Sequence, residues 1–560
     1  MTNIRIKSLL FTLLFWGGAM QMFAQQTYLK EVKGISRLIV KGKPFIMLSG
    51  ELHNSSSSTY SYLSTTWASL KAMHLNSVIV AVAWEQLEPQ EGVFDYTMVD
   101  HIIDLAEKHQ MQVVVAWFGT WKNGESSYVP LWVKTDTKRF FRVHNKDGKA
   151  TSVISPFCQN ACKADQKAFA SLMQHIKEKD INGMVSVIQV ENEVGCFQDI
   201  DYCNEAQEAY KQEVPMELID YFKKYEKKIN PMLTDSWVIN GKKNKGTWSD
   251  VFGPNSDSRH FFMTWYYASY IQKVANAGKA IHALPMFVNA ALPFGPNALP
   301  GSFPNGGPVS KVIDIYKIAA PAIDWCSPDI YSPNFKEICK QFHYNDNPLF
   351  IPELVRDAAL AFYAFAEHNA ICFSPFAIED AYLDKSFTRT YAVLHELLPL
   401  ISSYQGTGKM RGFLREGKET GTSLRLGNYD IDITYVKEEN KAFGLIIQTS
   451  SDEFVVAGLG AHVKISSLTE GVSTQYARVW EGHLDGTDWV TDCWLNGDQT
   501  GHHSSLYLRG RSNFSDTVAP KEGEIFPMAN PAVWESNKPE VIERIKAPGV
   551  YKVQVYTYPQ

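Results

Sequence analysis

Cysteine is scarce in this sequence, and its few cysteines are not arranged as metal ligands. There are 8 among 560 residues, far below the density of a disulfide scaffold. None forms a Cys-x-x-Cys pair, and no histidine pair accompanies them, so we expect no metal site. The prediction is buried thiols or one structural disulfide, with two close pairs as candidates: Cys158 with Cys162, and Cys196 with Cys203. No organic cofactor is expected either.

Strong charge of one sign is also lacking. The formal net charge is −6, and charged residues make up 20% of the chain. Without a basic face, nucleic acid and anionic membrane surfaces are excluded as expected partners. Aromatic residues are plentiful instead, with 14 Trp and 26 Tyr. Such rings either build the core or stack on sugars.

The first 24 residues have the pattern of a signal peptide. Arg5 and Lys7 precede an apolar stretch from Leu9 to Met20, and Ala24 is a small residue at the expected cleavage point. The stretch is short for a membrane span, although an uncleaved anchor is the alternative. The sequence predicts export to the periplasm or the extracellular space, without membrane insertion after cleavage.

Apolar runs that end in polar residues alternate with segments of helical periodicity over residues 25–405. The runs are 45–51, 78–85, 113–119, 187–193, 286–289, 323–326, 349–353 and 371–379. Eight such alternations predict an α/β fold, a (β/α)8 TIM barrel with insertions. A doubly wound open sheet would need a glycine-rich phosphate-binding turn after the first strand, and Ser49-Gly50-Glu51-Leu52-His53 is not one.

The texture of the sequence changes at about residue 406. Helical periodicity gives way to short alternating runs, namely 422–425, 431–436, 443–448, 454–457 and 550–556. Such runs, separated by Gly, Asn and Asp, predict a β-sandwich-like C-terminal domain over residues 406–560.

The fourth and seventh predicted barrel strands both end in a glutamate that follows an apolar run. Val187 to Val190 leads to Glu193, and Leu349 to Pro352 leads to Glu353. Catalytic groups of such barrels stand at the carboxyl ends of the strands. Two carboxyl groups there suit glycoside hydrolysis, which retains configuration when they lie roughly 5 to 5.5 Å apart and inverts it at roughly 6.5 to 9.5 Å. Sequence alone leaves that distance open.

The residues around the pair suggest separate roles. Asn192 can donate to a sugar hydroxyl beside the anomeric carbon, which favours Glu193 as the acid/base. Strand alternation points Glu191 away from Glu193, so Glu191 is expected to support its neighbours. Glu353 is the nucleophile candidate. Tyr331, near the end of the sixth strand, is expected to hydrogen-bond it and keep it ionised.

Further candidates end other strands or follow them closely. The tryptophans expected to stack on sugars are Trp84, Trp117 and Trp121, with packing at the top of the barrel as the alternative. The polar residues expected to bind sugar hydroxyls are Glu51, Glu85, Asn289 and Glu379.

Several of these motifs resemble known families. Asn192-Glu193 and Glu353 look like clan A of the glycoside hydrolases, whose members are retaining (β/α)8 barrels. Similarity to family 35, with family 42 close behind, rests on Ser49-Gly50-Glu51-Leu52-His53, Trp84-Glu85-Gln86-Leu87-Glu88-Pro89, Gly92-Val93-Phe94-Asp95-Tyr96, Pro130-Leu131-Trp132 and Gln189-Val190-Glu191-Asn192-Glu193. The resemblance covers the barrel, and the C-terminal part resembles the β-rich appendage of bacterial family 35 enzymes. It implies an exo-acting β-galactosidase with Glu193 as acid/base and Glu353 as nucleophile.

Three positions depart from the family 35 pattern. Val194 and Asn54 stand where the family usually has tyrosine, and Glu85 stands where it has asparagine. These departures leave the mechanism intact but keep other specificities open: a β-glucosidase, an α-L-arabinopyranosidase or an endo-glycanase. A non-catalytic carbohydrate-binding barrel is the alternative outside catalysis, and the oligomeric state is not predicted.

Overall fold

The computed structural model describes residues 27–510 and 547–559, apart from positions 296, 345, 438 and 496. The predicted signal peptide, residues 1–24, lies outside the described residues. Within them, no helix combines the length and apolar character needed to cross a membrane.

Eight parallel strands form a closed (β/α)8 barrel. They are β1 (Met47–Leu48), β2 (Ser77–Ala83), β3 (Gln112–Lys122), β4 (Val185–Asn192), β5 (Met286–Ala291), β6 (Trp325–Ile330), β7 (Phe350–Ile351 and Glu353–Leu354) and β8 (Cys372–Phe373). Each strand pairs with the next one along the chain. β7 is divided at Pro352: its first half pairs with β8 and its second half with β6. β8 pairs with β1, and Glu51 bridges to Ile79 in β2, which closes the ring.

The barrel strands are buried on both faces, as the unbroken apolar runs require. Inside the barrel, the rings of Phe287, Trp325 and Phe350 pack together with centroids 4.7 to 5.6 Å apart. Outside, a second apolar cluster joins the strands to the surrounding helices. The interior is therefore a packed core, so a ligand can enter only at the mouth.

Helices follow the strands around the barrel and also occupy the long connection between β4 and β5. The α-helices are Tyr60–Ala72, Trp84–Leu87, Thr97–His109, Leu131–Thr135, Gln159–Lys179, Asn204–Tyr210, Met216–Tyr225, Pro231–Ile239, Trp248–Phe252, Ser256–Lys279, Ile313–Ala319, Phe335–Phe342, Leu360–Glu367 and Lys385–Tyr404. Short 3₁₀ helices lie at Ser310–Val312, Ile378–Leu383 and Asp498–Thr500. Connections as long as that between β4 and β5 rarely lack secondary structure in compact domains.

Beyond the barrel, two antiparallel sheets enclose an apolar core of their own. The strands are Met410–Leu414, Gly421–Leu426, Tyr429–Tyr435, Phe443–Gln448, Glu453–Leu459, Ala461–Ser467, Val472–Asp485, Asp488–Leu495, Leu506–Tyr507 and Gly549–Pro559. This region is the β-sandwich-like part that the alternating runs predicted. Two smaller sheets accompany the barrel. A three-stranded sheet of Tyr28–Val32, Ile35–Val40 and Lys43–Pro44 precedes it, and a two-stranded sheet of Arg142–His144 and Ala150–Ile154 lies between β3 and β4 in the chain.

Three details differ from the sequence-based expectation. β3 was expected to end at Gly119 but runs to Lys122, and β6 was expected to end at Cys326 but continues through Pro328 to Ile330. Proline usually marks a strand edge or a break, which is why the sequence suggested an earlier end. All eight cysteines are free thiols and seven are buried, so neither disulfide candidate forms.

Candidate active site

Glu193 stands directly after β4, at the mouth of the barrel. The backbone there leaves the regular strand conformation, because Glu191 and Glu193 have φ angles of 63° and 45°. The Glu193 amide donates to Oδ1 of Asn289 in β5 at 3.0 Å, and Nδ2 of Asn289 donates to Asp329 in β6 at 2.6 Å. Both the oxygen and the nitrogen of the Asn289 side-chain amide are therefore engaged. Asn289 holds Glu193 in place through the Glu193 backbone N–H group.

Glu353 reaches the same mouth from the second half of β7. Its Oε1 accepts a hydrogen bond of 2.6 Å from the hydroxyl of Tyr331, which is the contact expected from the sequence. Glu353 is 6% exposed and Glu193 is 9% exposed, so both carboxyl groups lie at the bottom of the mouth. An accepted hydrogen bond stabilises the ionised form of a carboxyl group.

Four carboxyl groups, on Glu51, Glu193, Asp329 and Glu353, influence one another here. Burial, followed by the negative charge of Glu353, raises the pKa of Glu193 to about 7, while the positive charge of Lys122 opposes the rise. Burial and then Glu353 raise the pKa of Glu51 well above its usual value. Burial and the charges of Glu353 and Glu193 do the same for the pKa of Asp329. With this pKa, Glu193 keeps a large protonated fraction at neutral pH, as a general acid requires.

Lys122 and Asp329 are functional candidates that the sequence reasoning missed. Lys122 is buried at the end of β3, and its Nζ donates to Oδ1 of Asn192 at 3.0 Å. This contact turns Nδ2 of Asn192 the other way, where it has no hydrogen-bond partner in the described part of the chain. The Asn123-Gly124 pair could have indicated from the sequence that a tight turn follows Lys122. In the structure, the backbones of Lys122 and Glu125 close this turn with hydrogen bonds of 2.8 and 3.0 Å.

Glu191 faces away from the mouth, toward β3. Its two carboxyl oxygens accept the backbone N–H groups of Thr120 and Trp121 at 3.1 and 2.7 Å. Burial and the adjacent Asp165 raise the pKa of Glu191 well above its usual value. Glu191 therefore fixes the end of β3, next to Lys122, and does not face a substrate.

The prediction that tryptophans stack on sugars is wrong. Trp84, Trp117 and Trp121 are each 0% exposed. Their indole nitrogens donate, respectively, to Glu88, to Asp165 and to the Ile154 carbonyl. The rings pack between the strands and the outer helices, because large aromatic side chains dominate core packing. The alternative of barrel-top packing is the correct one for all three.

Two further candidates are engaged elsewhere. Glu85 pairs with Lys134 at 2.7 Å and lines a different cleft from the one that contains Glu193. Oε1 of Glu379 accepts from the His53 amide at 3.0 Å and from the Ser56 hydroxyl at 2.5 Å, which fastens the loop after β1. Of the residues expected to bind sugar hydroxyls, Glu51 is the one beside Glu353.

Comparison with known proteins relates the barrel to glycoside hydrolases. Residues 56–260 match a family model described as glycoside hydrolase 42, Beta-galactosidase. Residues 387–506, which begin within the last barrel helix, match a model described as a domain of unknown function, DUF5597. The β-galactosidase Bga of Halorubrum lacusprofundi is 26% identical over 133 residues, which are 23% of this chain and 18% of that protein. The chain thus aligns with under a fifth of that relative's length.

Solved structures of similar fold include two β-galactosidases. The cold-adapted enzyme from Rahnella sp. R3 has a TM-score of 0.45 and 16% identity, covering 65% of this chain and 57% of that one. The enzyme from Bacillus circulans sp. alkalophilus has a TM-score of 0.40 and 14% identity, covering 59% and 50%. The family match falls on family 42, the second of the two families expected from the sequence.

Proposed function

We propose that this chain, related through its barrel to the family 42 β-galactosidases, is a retaining, exo-acting β-galactosidase. The observation that carries the proposal is the asymmetry between its two carboxyl groups. Burial and the charge of Glu353 raise the pKa of Glu193 to about 7, while Glu353 accepts a hydrogen bond from Tyr331. One group is suited to donate a proton and the other to attack, which is the division of labour that glycoside hydrolysis requires.

In the first step, Glu193 gives its proton to the glycosidic oxygen, and the Glu353 carboxylate attacks the anomeric carbon. The bond between that carbon and the leaving oxygen breaks, and a covalent glycosyl ester forms on Glu353. Tyr331 holds Oε1 of Glu353 in place before the attack. As Glu353 loses its negative charge to the ester, the pKa of Glu193 falls, because that charge helped to raise it.

In the second step, the ionised Glu193 removes a proton from water, and the resulting hydroxide attacks the anomeric carbon. The ester bond breaks, Glu353 is released as a carboxylate, and the sugar leaves with the configuration it had in the substrate. Nδ2 of Asn192, held outward by Lys122, is the donor for the sugar hydroxyl next to the reacting carbon. Such a hydrogen bond strengthens as charge develops in the transition state.

Galactose as the sugar is supported by the match of residues 56–260 to a β-galactosidase family. Exo action rests on the resemblance of the sequence motifs to the β-galactosidase families. Assignment to family 35 in particular rests on the sequence motifs. Export, which would bring the enzyme to carbohydrate outside the cytoplasm, rests on residues 1–24 alone.

The test is hydrolysis of a panel of nitrophenyl glycosides by the wild type and by Glu193→Gln and Glu353→Gln. Glu178→Gln, an exposed helix position, is the matched control. We expect release from the β-galactoside, with losses on the order of 10²-fold or more in the two site variants and none in the control. If another glycoside is cleaved instead, with the same losses in the two site variants, the mechanism stands and the sugar assignment changes. Wild-type protein that binds but cleaves no member of the panel would favour the carbohydrate-binding barrel.

A further inference from the structure

A cleft of about 250 Å³ opens beside Glu193, between the loops that follow β4 and β5. Three phenylalanine rings line it: Phe197, Phe294 and Phe303. Phe197 is 47% exposed and Phe294 is 82% exposed. The rings of Phe197 and Phe294 are thus available to a ligand, unlike the buried tryptophans of the barrel. Exposed aromatic groups beside polar residues are typical of ligand-binding surfaces.

Polar side chains share the lining with these rings. Asn123, Ser302 and Ser332 lie at the cleft along with Asp329 and Tyr331. A pyranose ring has the same mixed character, because its C–H face is apolar and its edge carries hydroxyl groups. The volume is slightly below the roughly 300 to 1,000 Å³ of sites for drug-sized ligands, which suits a single sugar unit.

The wall of the cleft is fixed by hydrogen bonds before any ligand arrives. The backbones of Cys196 and Asn305 exchange two hydrogen bonds, of 3.1 and 2.9 Å, which tie the loop after β4 to the loop after β5. The buried side chain of Asn305 contacts His260 at 2.8 Å and donates to the carbonyls of Gln198 and Asp199 at 3.2 and 2.7 Å. A preformed wall lowers the entropy lost on binding.

We propose that this cleft is the leaving-group subsite and that it takes one pyranose unit, whose C–H face lies against Phe197 and Phe294. The inference rests on the proposed function. The acid must reach the oxygen of the leaving group, and Glu193 is the member of the catalytic pair that lines the cleft. Glu51, Lys122 and Asn192 do not line the cleft and are left for the sugar that is transferred.

The experiment compares Phe197→Ala and Phe294→Ala with the wild type on two substrates. A β-1,4-linked galactosyl disaccharide needs the leaving-group subsite, whereas β-galactosyl fluoride has a leaving group that is too small to use it. The quantity measured is the ratio of the two kcat/KM values, disaccharide over fluoride. Loss of either ring should lower this ratio about tenfold. Phe197→Trp keeps an aromatic face at the same position, so its ratio should stay near that of the wild type. Ile181→Ala, an exposed apolar deletion at the opposite end of β4, is the control.

The outcomes separate this inference from the proposed function. Wild-type protein that cleaves neither substrate contradicts the proposed galactosidase. Cleavage of both substrates with an unchanged ratio in the phenylalanine variants overturns the subsite alone. A third arm uses 4-nitrophenyl β-galactoside: a loss confined to this aryl glycoside would make the occupant an aromatic group and overturn the sugar assignment.

Discussion

The hydroxyl of Tyr331 donates a 2.6 Å hydrogen bond to Oε1 of Glu353, from the residue after β6 to the second half of β7. Pairing of Asp329 with Glu353 in adjacent parallel strands sets this distance. The contact leaves Tyr331 partly exposed at the mouth and Glu353 buried beneath it. A nucleophile in this position is both oriented and stabilised as a carboxylate.

Replacing Tyr331 with phenylalanine should lower kcat/KM about 10- to 100-fold, because a hydrogen bond to a charged group is worth about 1.5 to 3 kcal/mol. Kinetics on a nitrophenyl glycoside between pH 4 and 9 measure this loss. A wild-type rate across that range would show that the hydroxyl has no role.

The basic limb of the pH profile should lie near pH 7, because Glu193 must be protonated in the first step and its pKa is about 7. Lys122→Met removes a positive charge that lowers this pKa, so the basic limb should shift to higher pH. Lys122→Arg keeps the charge, and its basic limb should stay near that of the wild type even if the rate falls. If the basic limb shifts equally in both variants, the shift has a steric cause and does not come from the charge of Lys122.

Glu193→Gln should stabilise the protein at neutral pH. A carboxyl group whose pKa is raised from 4.5 to about 7 by folding contributes fully below pH 4.5, and that contribution is lost as pH rises to 7. The loss is of the order of 3 kcal/mol. Thermal unfolding should therefore give the variant a higher Tm than the wild type at pH 8, with the gap closing toward pH 4.5. For Glu178→Gln we expect no such pH-dependent gap.

Gly195→Ala should destabilise the mouth of the barrel. Gly195 has a φ of 138°, and an added Cβ would come within 2.5 Å of the Pro304 carbonyl carbon. The loops joined at Cys196 and Asn305 would have to separate. Gly148→Ala is the matched control, because its φ of 74° also disfavours alanine but nothing lies within 4 Å of the added atom. Tm and disaccharide activity should fall clearly further in Gly195→Ala; equal losses would contradict a rigid wall.

The sequence predicted the barrel and the placement of Glu193 and Glu353 at its mouth, because buried parallel strands are visible as apolar runs with polar ends. The Tyr331 contact was also predicted, since consecutive strand ends lie side by side. Lys122 was missed because β3 passes through an irregular register between Trp117 and Lys122. A period-two pattern does not reveal such irregularities.

Asp329 was missed because Pro328 suggested that the strand had ended. The tryptophan prediction failed for another reason: whether Trp84, Trp117 and Trp121 face the mouth or the outer helices depends on packing between distant segments. Trp117, for example, meets Asp165 from the helix Gln159–Lys179. Composition and spacing do not encode such contacts between segments.

The most direct test of the account is the stereochemistry of the first-formed product, followed by NMR during hydrolysis of a nitrophenyl β-galactoside. Glu353→Gln and Glu193→Gln serve as the variants, and spectra are taken before the anomers equilibrate. We expect the β-anomer of galactose to appear first with the wild type, with little release by either variant. Initial release of the α-anomer would contradict this expectation, because inversion means that water, and not Glu353, attacks the anomeric carbon.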